Sequence, residues 1–65
     1  MDINQATAEE ISELPGISDR MAAAVLAERA RRGGFRRHRD LLSVPGIKER
    51  RLEKILPFLT EMENN

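Results

Sequence analysis

The segment Ile11-Ser-Glu-Leu-Pro-Gly-Ile-Ser-Asp-Arg20 returns thirty residues later as Leu41-Leu-Ser-Val-Pro-Gly-Ile-Lys-Glu-Arg50. A unit used twice in so short a chain restricts the fold to two copies of one supersecondary element packed together. Each copy sets two apolar residues three apart, then Pro-Gly-Ile, then an acid and an arginine that open a new helical pattern. Proline cannot continue a helix and glycine accepts the turn conformation, so one helix ends and another begins at once. Backbone N–H groups at the start of the second helix then point out of a tight hairpin, an arrangement suited to an anion such as a nucleic acid backbone. Pro-Gly-Ile is equally a plain helix–helix turn in which Ile17 and Ile47 anchor the core. The turns alone leave both readings open.

Helical signals fill the rest of the chain and no strand-like alternation occurs. Thr7-Ala-Glu-Glu10 is a capping box that opens a first helix closed by Leu14-Pro15-Gly16. A second helix starts at Ser18 as N-cap and runs to about Arg32, with Met21 or Ala22, then Val25, Leu26 and the stem of Arg29 facing inward. Gly33-Gly34 stops it, and Phe35 folds back as an apolar plug. A third helix runs from Arg37 or His38 to Val44. The fourth runs from Lys48 to Phe58 or Leu59, and Pro57 marks a kink or an early end. Met1–Ala6 reads as an extended lead-in with Ile3 available to the core. The expected fold is all-α, a compact four- to five-helix bundle of two units with pseudo-twofold symmetry. The first unit is 7–32, the connector 33–37, the second unit 38–59, and 60–65 a frayed tail, all within one domain, 1–65. Superimposing the copies predicts one shared core of Ile11, Leu14, Ile17, Val25, Leu26, Phe35, Leu41, Leu42, Val44, Ile47, Leu52, Ile55 and Leu56.

Catalysis finds no foothold in these residues. Sixty-five residues leave little room for a deep pocket. There is no cysteine, and His38 is the only histidine, which leaves no thiol chemistry, no His-based triad and no multi-histidine metal site. The chain is therefore read as a non-enzyme without catalytic residues, metal or cofactor. With no Trp or Tyr, and only Phe35 and Phe58 as aromatics, it is poorly equipped to stack single-stranded bases. No apolar run approaches a membrane span, and the opening Met-Asp-Ile-Asn lacks signal-peptide character. The sequence reads as soluble and cytoplasmic by default, with the location of any longer parent chain left open.

The formal net charge of zero conceals an uneven distribution. Residues 1–28 carry a balance of −5, residues 29–39 of +6, and residues 40–65 of −1. The middle block holds Arg29, Arg31, Arg32, Arg36, Arg37 and Arg39 with no acid. Six arginines in eleven positions make a local positive field, and some of them also suit the negative pole at a helix end. Around the hairpins, the backbone at Gly16, Ile17 and Ser18 and at Gly46, Ile47 and Lys48 forms the candidate phosphate site. Arg20, Lys48, Arg50 and Arg51 are its cations, and Arg32, Arg36, Arg37 and Arg39 form an auxiliary basic cluster.

The chain resembles tandem helix-hairpin-helix domains, most closely those of the ComEA-type competence proteins. The resemblance rests on Ile3-Asn4, Ala6-Thr7-Ala8-Glu9-Glu10-Ile11, Leu14-Pro15-Gly16-Ile17, Ala22, Val25, Arg29, Gly33, Phe35, Asp40-Leu41-Leu42, Val44, Gly46-Ile47 and Leu52, and so covers residues 3 to about 59. It implies sequence-independent binding of double-stranded DNA through both hairpins, in DNA uptake or repair. The family hairpin usually reads Gly-hydrophobic-Gly, the second glycine letting a phosphate approach closely. Here Ser18 and Lys48 stand at those positions, with Asp19 and Glu49 beside them, and Arg37 stands where relatives carry a serine cap. The alternative function is a protein-interaction or assembly module of the same fold that has lost phosphate binding, with the arginine cluster meeting a protein partner.

Overall fold

The computed structural model describes residues 1–60, so residues 61–65 of the expected frayed tail lie outside the described residues. Helix α1 spans Ala8–Ser12 and helix α2 Asp19–Arg32; a 3₁₀ helix follows over His38–Ser43, then helix α3 over Glu49–Ile55 and a closing 3₁₀ turn over Leu56–Phe58. No strand occurs among the described residues.

The caps explain most of these boundaries. Thr7 Oγ1 accepts from Glu10 N–H (3.1 Å) while Glu10 Oε1 accepts from Thr7 N–H (2.9 Å), completing the capping box. Ser18 Oγ accepts from Met21 N–H (3.2 Å) at the start of α2. At its end Gly33 turns left-handed (φ 75°), and the N–H groups of Gly33 and Gly34 both fold back onto Arg29 O.

Two elements differ from expectation. The third helix is 3₁₀: Asp40 Oδ2 accepts from the amides of Arg36 (3.0 Å) and Arg37 (3.1 Å), pinning the entry, and Pro45 closes the exit. A 3₁₀ helix rises about 2 Å per residue against about 1.5 Å in an α-helix, so six residues reach further between two fixed ends. The fourth helix gives up α geometry at Ile55, the early end expected from Pro57, which has no N–H for the ladder. The lead-in is also folded rather than extended. Asp2 O accepts from Gln5 N–H and Ala6 N–H, and Asp2 Oδ1 accepts from Asn4 N–H, which makes a tight turn.

Residues 11–20 and 41–50 show the same order of buried, half-buried and exposed positions, residue for residue. The core joins both copies: Ile11, Leu14, Ile17, Ala22 and Val25 from the first, Leu41, Val44, Ile47, Leu52 and Ile55 from the second, with Phe35 between them. Ile3, Ala6 and Leu59 complete it. Leu26, Leu42 and Leu56 lie on its rim. Each directly follows a fully buried residue, and one helical step turns a side chain away, by about 100° in an α-helix and about 120° in a 3₁₀ helix.

Polar contacts tie the segments together. Asn4 accepts from Phe35 N–H and donates to Phe35 O, both at 2.8 Å, and so docks the lead-in on the connector. Arg29 Nη1 donates to Ile3 O (3.0 Å) and Ala6 O (2.8 Å). The radius of gyration is 10.4 Å. A single compact body of this length is expected near 11 Å.

Candidate functional site

Each hairpin turns on a left-handed glycine, Gly16 (φ 77°) and Gly46 (φ 95°). The next amide closes the turn: Ile17 N–H donates to Leu14 O (3.1 Å) and Ile47 N–H to Val44 O (3.0 Å). Both isoleucine side chains are buried. Ile17 and Ile47 therefore hold the hairpins. Here the two copies differ. Ser18 caps its helix through its own hydroxyl, whereas Lys48 makes no side-chain cap. The first turn of α3 is thus left without an intrinsic acceptor.

Both hairpins open onto one cleft of about 280 Å³, lined by Pro15, Gly16, Gly46, Lys48, Arg50, Arg51 and Lys54. Four of these seven residues are cationic and none is acidic. None of the four forms an ion pair among the described residues. Of the residues expected from sequence, the fold gathers Gly16, Gly46, Lys48, Arg50 and Arg51 here. Ser18 and Arg20 are exposed but do not line the cleft. Lys54 was missed by the sequence reading. The signal was present, since it stands four residues after Arg50 and three after Arg51, on the same face of α3.

The copies also pack crosswise. A Cβ built on Gly46 would lie 3.5 Å from Met21 Cε of the first unit, and one built on Gly16 would lie 2.9 Å from Arg51 Nη1 of the second. Met21 and Arg51 are equivalent positions of the repeat and equally half-buried. Arg51 Nη1 also donates to Gly16 O.

The arginine run divides in two. Arg29 holds the lead-in, Arg31 pairs with Glu28 (2.6 Å), and Arg32 reaches Asp40 (3.3 Å), Glu28 (3.8 Å) and Ser43 Oγ (3.0 Å). Ser43 Oγ donates to Glu28 Oε2 (2.7 Å). The hydrogen bond from Arg31, then that from Ser43, with the charges of Arg31 and Arg32, lower the Glu28 carboxyl to about 2. Asp40 is lowered too, first by the Arg36 amide. Arg32 is thus engaged by Asp40, Glu28 and Ser43, and Arg36, Arg37 and Arg39, like it, are exposed. His38 Nε2 lies 3.0 Å from Thr60 O.

Among the described residues, no three His, Asp or Glu side chains gather to hold a metal ion, and no helix is long and apolar enough to cross a membrane.

Residues 1–60 match a family described as the helix-hairpin-helix motif. The chain is 37% identical over 60 residues to ComE operon protein 1 of Bacillus subtilis (strain 168), a match covering 92% of this chain and 29% of that protein. It is 36% identical over 55 residues to the Endonuclease/exonuclease/phosphatase family domain-containing protein 1 of Homo sapiens and of Mus musculus, covering 85% of this chain and 10% of those proteins. The chain therefore spans less than a third of the length of these curated relatives.

Proposed function

Because the chain belongs to the helix-hairpin-helix family, we propose that it binds double-stranded DNA without sequence preference, seating backbone phosphates in the cleft between its hairpins. The observation that carries this reading is the lining of that cleft, where both hairpins meet four cations and no acid. Lys48, Arg50 and Lys54 neutralise phosphates, and the backbone of Gly46 and Lys48 donates to them at the start of α3. At the first hairpin the backbone around Gly16 and Ser18, with Arg20, meets a second phosphate. Units 7–32 and 38–59, related by the repeat, then face the two strands of one duplex. Arg36, Arg37 and Arg39 extend the positive surface along the flanking backbone. These contacts position a duplex without reading its bases. The domain is a binding module rather than an enzyme, and it serves DNA uptake or repair.

Titration of duplexes of unrelated sequence at several salt concentrations tests the proposal. Neutralising on the order of three to five phosphates gives a slope of about −3 to −4.5 for log affinity against log salt, whatever the sequence. Replacing Arg36, Arg37 and Arg39 together with alanine flattens that slope. Absence of binding at low salt refutes the proposal in favour of an assembly module whose arginines pair with an acidic protein surface.

A further inference from the structure

Arg51 stands apart from the other cations of the cleft because one of its nitrogens is already engaged. Its Nη1 donates to Gly16 O, a carbonyl at the tip of the opposite hairpin thirty-five residues away. The same nitrogen occupies space that any side chain at position 16 would need, 2.9 Å from a Cβ built there. Gly16 has no Cβ and adopts a left-handed φ of 77°, so the guanidinium can approach it. The crosswise partner, Met21 against Gly46, fills the equivalent space without any polar bond. One contact between the hairpins is therefore a charged hydrogen bond, and the other is apolar packing.

From this asymmetry we propose that Arg51 is a positioning residue, a cross-unit brace that fixes the first hairpin against α3 and so sets the separation of the two phosphate sites. It also engages the Gly16 carbonyl of the hairpin that lines the cleft. The proposal rests on the duplex-binding reading above and adds a division of labour: Lys48, Arg50 and Lys54 bind, and Arg51 aligns.

The test replaces Arg51 by the residue that the repeat itself places at the equivalent position, Arg51→Met, and compares it with Arg50→Ala and Lys54→Ala. Loss of a phosphate ligand lowers the magnitude of the salt slope by about one. Arg50→Ala and Lys54→Ala are expected to do so. Arg51→Met is expected to weaken duplex affinity on the order of tenfold, the scale of one hydrogen bond from a charged donor, while changing the slope by less than about half a unit. Arg51→Lys, which keeps a cationic donor within reach of Gly16 O, restores most of the affinity. All variants are measured well below their unfolding temperatures, so that lost stability alone does not move the result. A slope reduced as much as by Arg50→Ala makes Arg51 an ordinary phosphate ligand and overturns the proposal, as does unchanged affinity.

Amide resonances of the DNA-free protein supply the independent arm. Arg51→Met is expected to shift Gly16 and Ile17 and to leave Gly46 and Ile47 in place. Unmoved Gly16 resonances overturn the brace. A wild-type protein that binds no duplex refutes the function proposed above and the positioning role with it. The resonance shift then tells that failure apart from a missing brace.

Discussion

Glu28 accepts from Arg31 and Ser43 and faces Arg32, company that holds its carboxyl at about 2 against an ordinary 4.5. The charged form is the one these contacts favour, so their contribution to stability is complete above the ordinary carboxylate range and is lost as pH falls from about 4.5 toward 2. Asp40, shifted in the same direction, adds to that acid sensitivity. Glu28→Gln is expected to lower the thermal midpoint at neutral pH and to flatten its decline in acid, measured by following helical circular dichroism on heating across that range. A wild-type midpoint that does not fall in acid contradicts the assignment. Little of this was legible in advance. The sequence placed Glu28 among the acids and Arg32 in an auxiliary cluster, but their pairing depends on the Ser43 turn arriving beside the end of α2. Ser43 stands fifteen residues from Glu28, and no local periodicity encodes that approach.

The two hairpins share a backbone path and differ in what surrounds it. Lys48, Arg50, Arg51 and Lys54 gather at the second, whereas Arg20 stands alone beside Asp19 at the first and does not line the cleft. Ser18 already caps α2, while α3 begins without a side-chain acceptor. Reversing charge at Lys48 and Arg50 is therefore expected to weaken duplex binding by well over tenfold more than reversing Arg20, each lost phosphate contact being worth about one unit of salt slope. Equal losses, read from titrations at one salt concentration, contradict this ranking. Helix starts and stops were largely legible, because Thr7, Ser18, Gly33 and the two Pro-Gly pairs act through local geometry. The 3₁₀ form of the third helix and the folded lead-in were not. Each follows from an aspartate, Asp40 or Asp2, gathering nearby amides, and the pattern of apolar residues is silent about that.

At the scale of the molecule, neither unit owns a complete core. Ile11 and Leu41 are both wholly buried in the one cluster they share, and Phe35 of the connector is sealed into it. Peptides covering residues 1–36 and 37–60 are therefore expected to show weak helicity and no cooperative melting when separate, and to gain both when mixed or rejoined. Isolated helices this short are marginal in water. Cooperative melting of either half alone contradicts a shared core. The repeat made this architecture readable, since equal spacing fixed which residues had to meet. It did not disclose the cleft, because Pro15 and Lys54 become neighbours only once the copies cross. One further feature bears on mechanics. Met1 N donates to Phe58 O, and Thr60 N–H donates to Met1 O, each at 2.6 Å, so residues 1 and 60 lie side by side. None of the three lines the cleft. A pull applied at residues 1 and 60 would load this two-bond clasp before the contacts between the hairpins.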